Sequence, residues 1–191
     1  MDKTLTWLHL SDLHLCPHKT GWEAQRVLDA LKEDFECMQE RHDLRPDMIF
    51  FTDDVAYGQI PESAIQDQYK EAATLFGNIR TAFSPEIPAE NIFIVPGNHD
   101  VNRSKVHAGP TALLDGFRGE PDGIQRVEEL FHKGEGIDWE AVMDRLSDYR
   151  RFLESGGYAH LLADETRLCY AVTRDIAGAK SVCARRMSLR S

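Results

Sequence analysis

The sequence predicts an α/β fold in which parallel strands alternate with helices. Short runs rich in β-branched and aromatic residues recur at 5–10, 48–51 and 91–95, as is typical of buried strands. The two segments between them, residues 22 to about 40 and about 61 to 83, carry apolar residues at helical spacing. A β-α-β-α-β order implies parallel strands joined by right-handed crossovers.

Beyond residue 100 the sequence changes character. Residues 101–123 hold four glycines and two prolines, which predicts a long loop with room for one short helical turn. Helical spacing returns at about 124–132 and about 138–153. An alternating strand is predicted at 167–172, followed by a hairpin turn at Ala177-Gly178. We interpret residues 1–180 as one partial domain and 181–191 as an irregular basic tail.

Composition and charge constrain the class of protein. The chain has 191 residues, 42% hydrophobic and 28% charged, which is ordinary for a globular domain with a sizeable core. The net charge is −10, and we interpret the excess as a solvated acidic surface. It disfavours a broad nucleic-acid-binding face, which needs basic residues, although a nucleic-acid substrate stays possible.

The cysteines and the start of the chain bear on its compartment. No C-x-x-C pair occurs, so the four cysteines predict free thiols in a reducing environment. The polar N-terminal residues lack the apolar region of a signal peptide, and no apolar run approaches the ~20 residues that span a bilayer. We therefore expect a cytoplasmic protein without a membrane partner. The cysteines are Cys16, Cys37, Cys169 and Cys183.

Each predicted parallel strand runs directly into polar, chemically useful side chains. In open α/β sheets, ligands bind at the carboxyl ends of the strands. Because three strands end in this way, we expect their polar residues to form one site. These residues are Asp12 and His14 after the first strand, Asp53 and Asp54 after the second, and Asn98, His99 and Asp100 after the third.

The residue types indicate a metal site. A carboxylate and an imidazole two residues apart, as in Asp12 and His14, suit a borderline divalent ion such as Mn, Fe or Zn. The two oxygens of Asp54 could bridge two such ions, and Asn98 offers a neutral oxygen to the second. Two adjacent metal ions can activate a water and hold a phosphoryl group for in-line attack.

Two further residues of the third turn suggest proton transfer. His99 could protonate the leaving oxygen, and Asp100 could hold the His99 ring in the required tautomer. Simple turn chemistry is the alternative reading, since Asn and Asp favour turns. That alternative leaves the embedded histidine without a role.

Three motifs together resemble the signature of the calcineurin-like metallophosphoesterases: D-L-H at 12–14, D-D-V-A-Y-G at 53–58 and G-N-H-D at 97–100. The resemblance implies an α/β/β/α sandwich, a phosphate-ester substrate and two divalent metal ions. It also implies the roles of individual residues. Asp12 and His14 would bind the first metal, Asp54 would bridge, Asn98 would bind the second, His99 would be the catalytic histidine and Asp100 its partner.

The sequence departs from this family in two respects. Asp53 replaces a glycine, so its carboxylate could crowd the site, raise the pKa of a neighbouring carboxyl group or act as an extra ligand. A later lone histidine and a G-H-x-H motif are also missing. The histidines after Asp100 are His107, His132 and His160, and none stands in that motif.

These departures leave alternatives open. The resemblance is close over about 4–103 and loose to about 180, so the sandwich is expected to be incomplete at its C-terminus, as in a truncated or frame-shifted product. The first expectation is a phosphomonoester or phosphodiester hydrolase. The alternative is an inactive fragment acting as a binding or regulatory module, with another domain or a partner chain supplying the missing half. A nuclease is a third, less favoured reading.

Overall fold

The structure, a computed structural model, describes residues 4–176 and 179–185. The predicted α/β fold is confirmed. A parallel sheet has the strand order β1-β2-β3, formed by Trp7–Ser11, Met48–Thr52 and Ile92–Val95. In register, Leu8 pairs with Ile49, which in turn pairs with Ile92. All three strands therefore end at the same edge of the sheet.

The two crossover helices begin at different residues from those predicted. Helix α1 spans Pro17–His42, but Gly21 adopts φ 57° and interrupts its first turns. The apolar helical spacing therefore starts only after this kink. Helix α2 spans Ile65–Thr81 and starts later than residue 61, because Ile60 and Ser63 exchange backbone hydrogen bonds in a tight turn.

The region after residue 100 is more helical than its composition predicts. The predicted loop over 101–123 is wrong, because helix α3 occupies ten of its residues. The proline there lies in the first helical turn, where its missing N–H costs no hydrogen bond. The helix predicted over 138–153 is divided by a 3₁₀ turn, Asp144–Leu146. The helices are α3 (Ala108–Phe117), α4 (Gly123–Lys133), α5 (Ile137–Met143) and α6 (Ser147–Ser155).

One face of the parallel sheet packs against helices. The rings of Phe51 on β2 and Phe76 on α2 lie 4.4 Å apart between centroids. Helix α6 packs beside α2, where Tyr69 and Phe152 stack at 4.9 Å. Tyr149 on α6 donates a hydrogen bond of 3.0 Å to a backbone carbonyl oxygen of β3. These contacts fix the edge of the sheet that carries the polar residues.

An antiparallel hairpin covers the opposite face of the sheet. It consists of β4, Tyr170–Ile176, and β5, Ala179–Arg185. Cys183 Sγ lies 3.9 Å from Met48 Sδ of β2, and the Tyr170 ring packs 6.2 Å from a phenylalanine ring of β3. Helices, parallel sheet and hairpin thus form successive layers, consistent with a metallophosphoesterase-like sandwich.

The end of the described chain is more regular than the sequence predicts. Strand β5 includes residues 181–185, which were assigned to the irregular tail. The predicted hairpin turn at 177–178 and the remaining tail, 186–191, lie outside the described residues. Within the described ranges, no helix combines the length and the apolar character required to cross a bilayer.

His160 lies at the opposite end of β3 from the polar strand ends. Its Nε2 atom is 2.8 Å from the Ile92 carbonyl oxygen. Burial lowers the pKa of His160 below its ordinary 6.5. Protonation therefore favours the unfolded chain, so the free energy of unfolding falls as the pH drops below about 6.5.

We expect a His160→Gln variant to be less sensitive to acid. Its thermal midpoint, followed by circular dichroism, should fall less between about pH 7 and pH 5 than that of the wild type, because one group that gains a proton on unfolding has been removed. Identical pH dependence in both proteins would contradict this expectation.

Candidate metal centre

Backbone hydrogen bonds hold the loops after β1, β2 and β3 against one another. The His14 amide donates to the Asp54 carbonyl oxygen at 3.0 Å, and the Asp12 amide donates to the Thr52 carbonyl oxygen at 3.3 Å. The third loop joins through a side chain, since the His99 amide donates to Asp54 Oδ1 at 2.7 Å. Asp54 therefore lies at the junction of all three loops.

The three loops bring metal-ligand side chains together as two overlapping groups. One group consists of His14, Asp54 and His99, and the other of Asp12, Asp53 and Asp54. Within each group, one potential ligand atom from every residue lies within 4.8 Å of the others. Asp54 belongs to both groups and is only 5% exposed. A carboxylate shared by two donor sets can bridge two ions.

The backbone of this centre adopts unusual conformations. Asp12, His14 and Asp53 have positive φ angles of 54°, 43° and 69°. Asp, Asn and His are the non-glycine residues that adopt this left-handed region most readily, yet each such residue still costs free energy that the surrounding contacts must supply. Residues in these conformations cluster at functional sites, and here they turn the side chains toward one point.

Gly97 leaves room for the carboxylates. A methyl group in its place would approach Asp54 Cγ to 2.7 Å and would meet Oδ1 of both Asp53 and Asp54 more closely still. Only glycine therefore fits at position 97 of the third turn. Carboxylate oxygens beside imidazole nitrogens also form the donor set that borderline divalent ions prefer. The residues present thus fit a divalent metal centre.

The His99 ring is oriented by the backbone. Its Nδ1 atom lies 2.6 Å from the Tyr57 carbonyl oxygen, and because a carbonyl can only accept, Nδ1 carries the proton. Nε2 is then the nitrogen available for proton transfer. The His99 and His14 rings lie edge to face, 5.0 Å apart between centroids.

Asp100 has a different role from the one predicted. Instead of holding the His99 ring, its buried carboxylate accepts backbone N–H bonds from Val55, Ala56 and Gly97 at 2.9–3.1 Å. The Tyr69 hydroxyl donates a fourth bond of 2.9 Å. Burial raises the pKa of Asp100 to about 6, although these bonds lower it. Asp100 therefore joins the second loop to the third through hydrogen bonds.

The other predicted site residues differ in placement. Asn98 lies exposed in the third turn between Gly97 and His99, and it belongs to neither ligand group among the described residues. His107 and His132 are exposed at the start of α3 and the end of α4. Within the described part of the chain, the ligand groups contain His14 and His99 but none of the later histidines.

Sequence reasoning missed the Tyr57 carbonyl and the Tyr69 hydroxyl as supporting groups. The first is a backbone atom, so no residue type could reveal its role. The second belongs to a helix whose apolar spacing placed Tyr69 in the core, where it indeed lies, at 3% exposed. Only the fold shows that its hydroxyl reaches the Asp100 carboxylate.

The residues of this centre lie within a stretch of sequence that matches a known protein family. The family model described as calcineurin-like phosphoesterase matches residues 5–176. The chain belongs to this family. No curated protein and no solved structure matches it significantly.

The match confirms the resemblance noted in the sequence. The calcineurin-like phosphoesterases are metal-dependent and act on phosphate esters. The match covers β1, β2, β3 and the whole cluster of ligand residues. The family is metal-dependent, and the candidate metal-binding clusters lie at the carboxyl ends of the parallel strands.

Proposed function

We propose that this chain is a phosphoesterase that hydrolyses a phosphomonoester or phosphodiester with two divalent metal ions and an activated water. The observation that carries the proposal is the position of Asp54 in both donor groups. A single buried carboxylate reached from both sides suits a dinuclear centre. Mn, Fe and Zn are the ions whose preferences match the mixed carboxylate and imidazole donors.

The proposed ligands follow from the sequence motifs and their placement. Asp12 and His14 would hold the first ion. His14 Nε2 lies 3.9 Å from Asp12 Oδ1 and 3.5 Å from Asp54 Oδ2. Asp54 would contribute its carboxylate to both ions, and Asn98 would offer an amide oxygen to the second. The bound ions supply Lewis acidity, which lowers the pKa of water and withdraws charge from a phosphoryl group.

His99 supplies the proton in this proposal. The Tyr57 carbonyl holds its Nδ1–H, so the exchangeable proton of the imidazolium form sits on Nε2. This nitrogen can donate to the leaving oxygen of the ester and be reprotonated by solvent. Asp100 acts indirectly, since it fixes the turn that presents His99.

A binding or regulatory module is the second candidate function. It is favoured by the positions of the later histidines, which do not join the described ligand groups. The outer face of β1 also exposes Trp7 to 60%, beside the hairpin that covers the neighbouring strands. A further domain or a partner chain would cover this exposed side chain.

The first test combines metal stoichiometry with turnover. Purified chain is loaded with Mn²⁺, bound metal is counted, and hydrolysis of an aryl phosphodiester and an aryl phosphomonoester is followed before and after chelation. Two ions per chain, with turnover that is lost on chelation and restored by Mn²⁺, are the expected result. Metal binding without turnover of either ester would favour the binding module.

Variants make this test specific. We expect Asp54→Asn to lower kcat/KM by roughly 10²–10³-fold, because the amide cannot bridge two cations. Asp43→Asn is the matched control, since Asp43 is an exposed aspartate with positive φ at the end of α1. Equal turnover in the wild type and Asp54→Asn would exclude the proposed centre.

A further inference from the structure

Asp53 occupies a backbone position that favours glycine. Its φ of 69° lies in the left-handed region, and the resemblance places a glycine there. An aspartate at this position adds conformational strain and a negative charge next to Asp54. Both costs are offset if the Asp53 carboxylate binds a cation.

The Asp53 carboxylate turns into the metal centre. One of its oxygens lies within 4.8 Å of an oxygen of Asp12 and an oxygen of Asp54. Its Oδ1 atom also borders the space that Gly97 leaves open, on the same side as Asp54 Oδ1. Asp53 and Asp54 therefore present oxygens to one point.

The protein itself provides little positive charge to balance these three carboxylates. Among the described residues, their ion-pair contacts are those of Asp12 and Asp54 with His14, at 3.9 and 3.5 Å. Like charges at such separations repel one another. A divalent cation among the three oxygens removes that repulsion.

We propose that Asp53 is a further metal ligand of this chain, which adds its carboxylate to those of Asp12 and Asp54 and so favours a hard cation such as Mn²⁺. The inference rests on the proposed dinuclear centre. Oxygen ligands favour Mn²⁺ and Mg²⁺, whereas imidazole favours Zn²⁺. His14 keeps an imidazole nitrogen in the centre, so loss of the Asp53 carboxylate is expected to weaken Mn²⁺ binding more than Zn²⁺ binding.

The test measures Mn²⁺ binding rather than turnover. Free Mn²⁺ is followed by electron paramagnetic resonance during titration of wild type, Asp53→Asn and the control Asp43→Asn. We expect Asp53→Asn to weaken one of the two Mn²⁺ equivalents by roughly ten- to a hundredfold, while Asp43→Asn matches the wild type. Zn²⁺ binding should be weakened less than Mn²⁺ binding in Asp53→Asn.

Thermal melting gives a second, independent readout. Without metal, Asp53→Asn should raise the melting midpoint by about 2 °C, because one of three repelling charges is removed. With Mn²⁺, the stabilisation should be smaller than in the wild type. The control variant Asp43→Asn should show neither change in the melting midpoint.

Three outcomes would overturn the inference, and two of them spare the proposed function. If wild type binds two Mn²⁺ ions and Asp53→Asn binds both equally well, Asp53 is not a ligand but the dinuclear centre stands. The same conclusion follows if Asp53→Gly binds Mn²⁺ more tightly, because the carboxylate then only crowds the site. If wild type binds no metal, both the inference and the proposed centre fail.

Discussion

Gly97→Ala is expected to abolish metal binding and turnover together. The added methyl group would meet Oδ1 of both Asp53 and Asp54 and approach Asp54 Cγ to 2.7 Å. Asp54 can move aside only by giving up its 2.7 Å hydrogen bond from the His99 amide. The substitution thus displaces two carboxylates and loosens the histidine turn, so we expect turnover to fall below that of Asp54→Asn.

Gly77→Ala is the matched control for this substitution. Gly77 lies within α2 with no neighbour inside 4 Å of the added methyl group, and alanine in a helix interior stabilises by roughly 0.5–1 kcal/mol relative to glycine. Both variants are measured by Mn²⁺ titration, ester hydrolysis and urea unfolding. Normal Mn²⁺ affinity in Gly97→Ala would show that the carboxylates do not define the centre.

The sequence predicted the parallel sheet because its strands are marked by composition alone. Residues 48–51 and 91–95 are buried runs that end in turn residues, and neither helical spacing nor glycine obscures them. Helix α3 was missed for the opposite reason. Its glycines and its proline lower intrinsic helix propensity, but the proline lies in the first turn, and contacts with α4 and α5 stabilise the segment.

The site could be predicted only where residue type and chain position decide it. Parallel strands bring their carboxyl ends together, so their polar residues were expected to meet. Among the described residues, Asp12, His14, Asp54 and His99 lie in two groups that share Asp54, and Asn98 lies in neither. The direction of each side chain could not be predicted from the sequence in the same way. Asp100 was expected to face His99, but its partners include Val55 and Ala56, which lie more than forty residues earlier in the chain.

The same distinction explains Asp53. Sequence comparison shows that it departs from the family pattern but cannot say whether its carboxylate points outward or inward. Asp53 is exposed, but its Oδ1 atom borders the space beside Gly97, on the same side as Asp54 Oδ1. The periodicity of a sequence gives no information about local backbone conformation in these loops. That conformation depends on hydrogen bonds between loops that are distant in sequence.

Asp100→Asn is expected to destabilise the fold itself. Each carboxylate oxygen of Asp100 accepts two hydrogen bonds, Oδ2 from the Val55 and Gly97 amides and Oδ1 from Ala56 and Tyr69. An asparagine amide would point its NH₂ group at two of these donors. Buried donors left without an acceptor cost about 1–3 kcal/mol each, so we expect a loss of roughly 3–5 kcal/mol in the free energy of unfolding.

Urea unfolding of the metal-free proteins measures this loss without any contribution from metal binding. Tyr69→Phe is the graded control, because it removes one of the four bonds and should cost only about 1 kcal/mol. If Asp100 served only to orient the His99 ring, Asp100→Asn would retain the wild-type urea midpoint and lower kcat alone. The hydrogen bonds to the amides of Val55, Ala56 and Gly97 predict the reverse: a variant whose second and third loops separate first, and whose activity is lost because the metal ligands no longer meet.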